Sequence, residues 1–160
     1  MVSRYDLRQI VMLGYFSDEM LDKLAGAVDV LTFEEREYIF HQGEMADRFY
    51  WLKRGKILFE QRISATITVA TGSVKPGYSF GWSAMLEGKY YTADAVCSEL
   101  CEVYSVRGRR LKSMLNSDPA MGYAFSQRLI RVLKSRLDHR TEQFMRVIRN
   151  HPELQSLFDN

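Results

Sequence analysis

The chain has 160 residues, enough for one domain with a true core and too few for two full ones. Hydrophobic residues at 46% and aromatics at 12% exclude a disordered composition, and a net charge of +2 implies no polyanionic partner by itself. No apolar run approaches the ~18 residues of a membrane span, and Met1–Asp6 lacks the basic start and apolar block of a secretory signal, so a cytoplasmic protein is expected.

In chain order, Ser3 to Leu13 predicts a short helix with Leu7, Ile10 and Val11 on one side. Ser17 reads as an N-cap, with Asp18 and Glu19 in the first turn where the helix dipole favours negative charge. Met20, Leu21, Leu24, Ala25 and Val28 follow at helical spacing. From Val30 to Val106 short alternating runs are broken at Gly43, Gly55, Gly72, Pro76-Gly77 and Gly88. Turns at that interval without intervening helices predict an antiparallel double-stranded β-helix, a jelly-roll barrel of about eight strands. Leu111, Met114 and Leu115 make a short amphipathic helix after Arg107. Asn116-Ser117-Asp118-Pro119 then supplies a cap with proline at the first helical position. One long helix is predicted from Ala120 to Asn150, ended or bent at His151-Pro152. The expected fold class is mainly β with flanking helices (α+β), in a single domain.

Two glycine-bearing cassettes carry the functional signal. The first runs from Ile39 to Ile57, with Gly43, Glu44, Asp47 and Gly55 as turn-forming scaffold; the second runs from Val74 to Leu86 around Pro76-Gly77 and Phe80-Gly81. From Phe16 to Leu137 the chain resembles the cyclic-nucleotide-binding domain, the sensor module of Crp/Fnr-type regulators, cyclic-nucleotide-dependent kinases and gated channels. The resemblance implies a pocket inside the roll, entered by a strand, a tight turn and one short helix. Phe80-Gly81 would be the turn and Trp82 to Leu86 the helix, with the amides of Ser83 and Ala84 turned to an anion.

Two ligand contacts that the family pattern calls for are replaced here. Trp82 stands where a glutamate accepts the ribose hydroxyl, and Tyr91, ahead of Thr92-Ala93, stands where an arginine pairs with the cyclic phosphate. Tryptophan only donates, and tyrosine offers one neutral hydroxyl in place of a charged fork. Lys89 is the nearest remaining cation. Phe80, Gly81, Trp82, Ser83, Ala84, Lys89, Tyr91, Thr92 and Ala93 are thus the candidate ligand-binding residues, for a cyclic nucleotide or another small anionic or aromatic ligand. Trp82 has two readings, a ring stacked on a flat ligand or a plug of the pocket.

Cys97 and Cys101 read as residues of one strand, about 13 Å apart on one face and so unbridged. His41, His139 and His151 are remote from them, so no metal site is expected. Nucleophile-elbow, P-loop and zinc-protease motifs are missing, and Asp94 and Glu99 fall on opposite faces of a strand-like run, so no catalytic activity is expected. Beyond the long helix, Thr141 to Asn160 leaves no room for a helix-turn-helix, so direct DNA binding is not expected either. Three functions remain open. The first is a sensor of a nucleotide-like small ligand, relayed to the C-terminal helices and dimeric through the long one. The second is a ligand-independent module for dimerisation or a protein partner, its pocket filled by Trp82 and Tyr91. The third is a true cyclic AMP or cyclic GMP receptor that uses Lys89.

Overall fold

The computed structural model describes residues 2–151 and Glu153, in two units, the first ending at Phe125 and the second beginning at Ser126. The first unit opens with α1 (Arg4–Arg8), started by a capping box. Ser3 Oγ accepts from the Asp6 amide while the Asp6 carboxylate accepts from the Ser3 amide. A 3-10 turn (Val11–Leu13) and α2 (Asp18–Ala25) follow, and Ser17 caps α2 through the Met20 amide. Leu7, Ile10, Met12, Leu13, Leu21 and Leu24 are buried. Val11, expected on the apolar side, is 48% exposed. The helix stops short of it, and its amide is held by the Gly77 carbonyl at 3.0 Å, so Met12 and Leu13 turn inward instead.

Eight strands then form the roll. They are β1 (Asp29–Phe33), β2 (Tyr38–Phe40), β3 (Arg48–Arg54), β4 (Ile57–Arg62), β5 (Thr68–Val74), β6 (Ser79–Phe80), β7 (Asp94–Cys97) and β8 (Cys101–Arg107). All pairings are antiparallel, in two four-stranded sheets ordered β1-β8-β3-β6 and β2-β7-β4-β5. This is the expected α+β architecture, a β-roll with N-terminal helices and a long C-terminal helix. Strand alternation sends Tyr50 and Leu52 of β3 into the roll and Phe49 and Trp51 out of it. The interior cluster also holds Phe40, Ile57, Val74, Phe80, Tyr91 and Val103.

Cys97 and Cys101 do not share a strand. The chain turns at Ser98–Leu100, so Cys97 ends β7 in one sheet and Cys101 opens β8 in the other. Both are free and buried in the interior cluster. Burial, and then the neighbouring Cys101 thiol, pushes the Cys97 thiol well above its ordinary range. Glu99 lies in that turn rather than on a strand.

Two further helices follow the roll, α3 (Gly108–Ser117) and α4 (Pro119–Arg149). Asp118 joins them as the cap of α4: its Oδ1 accepts from the Met121 amide at 3.1 Å, and Pro119 takes the first helical position. Met121 and Phe125 are buried, with Phe125 edge-on to Phe49 at 5.8 Å. In the second unit α4 continues to Arg149. Leu129 and Val132 are half-buried, while Ile130, Leu133, Leu137, Phe144 and Val147 are exposed.

Candidate functional site

The second cassette begins with Phe80, fully buried and stacked on Tyr50 at 5.0 Å and 14° between ring planes. Gly81 follows in the left-handed region (φ 74), where a side chain is strained. A Cβ there would lie 2.8 Å from Tyr50 Cδ2 and 2.9 Å from the Arg48 carbonyl oxygen. Packing against β3 alone therefore demands glycine at this position. The cassette helix is a single 3-10 turn, Trp82–Met85, with the Ala84 amide bonded to the Gly81 carbonyl at 3.1 Å. Ser83 is half-buried and its carbonyl accepts from the Leu86 amide at 3.0 Å. Ala84 belongs to the interior cluster. Its carbonyl lies so close to α3 that a Cβ on Gly108 would come within 2.2 Å of it.

Tyr91 occupies the interior. It is 5% exposed and stacks on Phe40 at 3.7 Å with 11° between the ring planes. Its hydroxyl donates to the Arg48 carbonyl at 2.8 Å and accepts from the Arg48 amide at 3.2 Å. β6 pairs with Tyr50 and Trp51 only, so the phenol takes the place of a neighbouring strand at Arg48, two residues before Tyr50 on β3. Burial raises the Tyr91 phenol, and burial together with Tyr91 holds the Tyr50 phenol far above its usual range. The backbone of Tyr91 is also fixed to the first cassette. Its amide donates to the Glu44 carbonyl and its carbonyl accepts from the Gly43 amide, both at 2.9 Å.

Trp82 is not a plug of the roll. It is half-buried, stands outside the interior cluster, and donates from Nε1 to Ser79 Oγ at 3.1 Å. Ser79 and Phe80 are successive strand residues that face opposite ways, and Phe80 takes the inner face. The indole is therefore drawn to the outer one. Lys89 and Thr92 are exposed and Ala93 half-buried; the Thr92 carbonyl accepts from Gln61 Nε2 at 3.0 Å. Of the candidate residues, Phe80, Ala84 and Tyr91 meet inside the roll, and Trp82, Lys89 and Thr92 do not.

Two contributors escape a reading of the second cassette alone. Phe40 supplies the stacking surface for Tyr91. Arg48, on the inner-facing side of β3, reaches Ser105 Oγ at 2.8 Å and Asp29 at 3.2 Å. Both lie in or beside the first cassette, where alternation marks their face but gives no partner.

The family model for the cyclic nucleotide-binding domain matches residues 30–118. The chain belongs to that family. Among solved structures, it is similar to a putative cyclic nucleotide-binding protein from Geobacter metallireducens. That match has 26% identity and a TM-score of 0.74, over 86% of this chain and 99% of that one. A cyclic nucleotide-binding domain from Methylobacillus flagellatus shares the fold, with a TM-score of 0.78 and 18% identity over 92% of this chain and 83% of that one. Among curated proteins, NTE family proteins of Mycobacterium tuberculosis and Mycobacterium bovis are 24% identical over 146 residues. These cover 91% of this chain, which spans 24% of their length. Among the described residues of this cyclic nucleotide-binding domain, no helix is long and apolar enough to cross a membrane.

Proposed function

We propose that this domain is a non-catalytic regulatory module whose roll is closed by its own aromatic side chains rather than by a cyclic nucleotide. The carrying observation is Tyr91, stacked on Phe40 and bonded through its hydroxyl to both backbone groups of Arg48. Seating a nucleotide there means expelling a buried phenol. That forfeits about 0.5–1.5 kcal/mol of ring stacking, about 1–3 kcal/mol of hydrogen bonding to a buried backbone and part of the burial itself. A loss of ~3 kcal/mol weakens binding about a hundredfold. The absent arginine adds to that loss, and Lys89, exposed in the loop beside the cassette, is no substitute for a fork inside the roll.

Output passes through α4. Ile130, Leu133, Leu137, Phe144 and Val147 recur at spacings of three, four and seven, a coiled-coil seam with Arg140 at one interrupting position. Two copies of the chain associate along that seam. The test of the closed roll is calorimetric titration of the intact chain with cyclic AMP and cyclic GMP. Expected is no saturable binding below about 1 mM; a dissociation constant in the micromolar range would refute the closed roll.

A further inference from the structure

We infer that a cleft outside the roll binds a small molecule of nucleotide size carrying several phosphate groups. The cleft holds about 1050 Å³, between the Met45–Asp47 segment, the Leu86–Lys89 loop and the exposed side of α3. That is ample beside the roughly 300–1,000 Å³ of ordinary small-molecule pockets. Four cations converge on it, Lys89, Arg107, Arg109 and Lys112, against two carboxylates, Asp47 and Glu87. Glu87 is engaged by Lys112 at 3.6 Å. Lys89, Arg107 and Arg109 have no carboxylate at ion-pair distance among the described residues. The whole chain is close to neutral, so the excess in this cavity is local.

The placement of the arginines is itself unfavourable without an anion. Arg107 is the N-cap of α3 and offers no side-chain cap, Arg109 and Arg110 stand in the first turn, and no acidic residue does. The helix dipole favours negative charge at that end and disfavours positive. Arg110 turns away to the Gly26 carbonyl at 2.9 Å, and Arg109 lines the cleft. Gly108, pressed against the Ala84 carbonyl, fixes this end of α3 beside the cassette helix. Ser113 and Asn116 follow Arg109 on the same side of α3, adding hydroxyl and amide groups that bond phosphate oxygens. At the rim Met45 and Leu86 are 67% and 61% exposed, apolar surface suited to the flat body of a nucleotide. The cations meet in a concavity rather than along a stripe, which fits a small polyanion and not a nucleic-acid backbone.

Of the cleft's lining only Ala46 and Ala84 also belong to the interior of the roll, and competition with cyclic AMP tells the two sites apart. The intact chain is titrated calorimetrically with inorganic tripolyphosphate, ATP and adenosine at about 150 mM salt, where exposed charges are screened beyond ~8 Å. Expected is one saturable site for tripolyphosphate and ATP, none for adenosine, and no displacement by cyclic AMP. Tighter binding of ATP than of tripolyphosphate assigns the rim to a base; equal binding assigns the site to phosphate alone. The double variant Lys89→Gln, Arg109→Gln should bind at least tenfold more weakly, while Arg109→Gln alone leaves the ligand-free melting temperature unchanged or raises it. Absence of saturation by either polyphosphate, wild-type affinity in the double variant, or saturation only by an acidic peptide or an oligonucleotide would overturn the inference.

Discussion

Tyr91 stands where the family resemblance calls for an arginine, and its hydroxyl completes the edge of β3 at Arg48. Replacing it by phenylalanine keeps the ring on Phe40 but leaves the Arg48 amide and carbonyl without that partner. Tyr91→Phe should therefore lower the urea-unfolding free energy by about 1–3 kcal/mol; an unchanged midpoint would mean that water serves Arg48 equally well. The replacement of arginine was legible in the sequence, because it is a matter of one letter at one spacing. The destination of the hydroxyl was not, since Arg48 lies 43 residues away. Trp82 shows the reverse limit. The sequence left it two readings, a stacking ring or a plug, and the alternation of Ser79 and Phe80 sends its indole to a hydroxyl on the outer face.

At the scale of single elements, local chemistry marks the boundaries. Ser17 and the Asp118-Pro119 pair announce α2 and α4, because a cap bonds within its own first turn. The Ser98–Leu100 turn carries neither glycine nor proline, so β7 and β8 read as one run and their cysteines seemed far apart. Asp118 gives this scale its test. The Met121 amide, and then Lys23, holds its carboxyl below the ordinary value of 3.8. A depressed folded-state pKa stabilises the fold above the unfolded value, and that stabilisation is lost as pH falls through the folded value. Asp118→Asn keeps a capping oxygen without the charge. Wild type should be the more stable at neutral pH, and the two should converge as pH falls below 3.8. Urea unfolding at both ends of that range is the measurement, and a pH-independent difference would remove Asp118 from the acid response.

At the scale of the whole molecule, the strands of the roll run from Asp29 to Arg107, and turn glycines with alternation mark each of them locally. The meeting of Phe40, Tyr50, Phe80 and Tyr91 comes from strand order, which no local pattern encodes. The exposed seam of α4 carries the assembly prediction. Leu133→Glu with Leu137→Glu should convert a dimer into a monomer in sedimentation velocity without loss of helical circular dichroism. A monomeric wild-type chain at all concentrations would remove the seam from the account. The most direct measurement returns to the interior of the roll. Nuclear Overhauser contacts between the Phe40 and Tyr91 rings should persist unchanged as cyclic AMP is added to millimolar concentration. Their disappearance, with new contacts from these rings to the nucleotide, would contradict a self-filled roll.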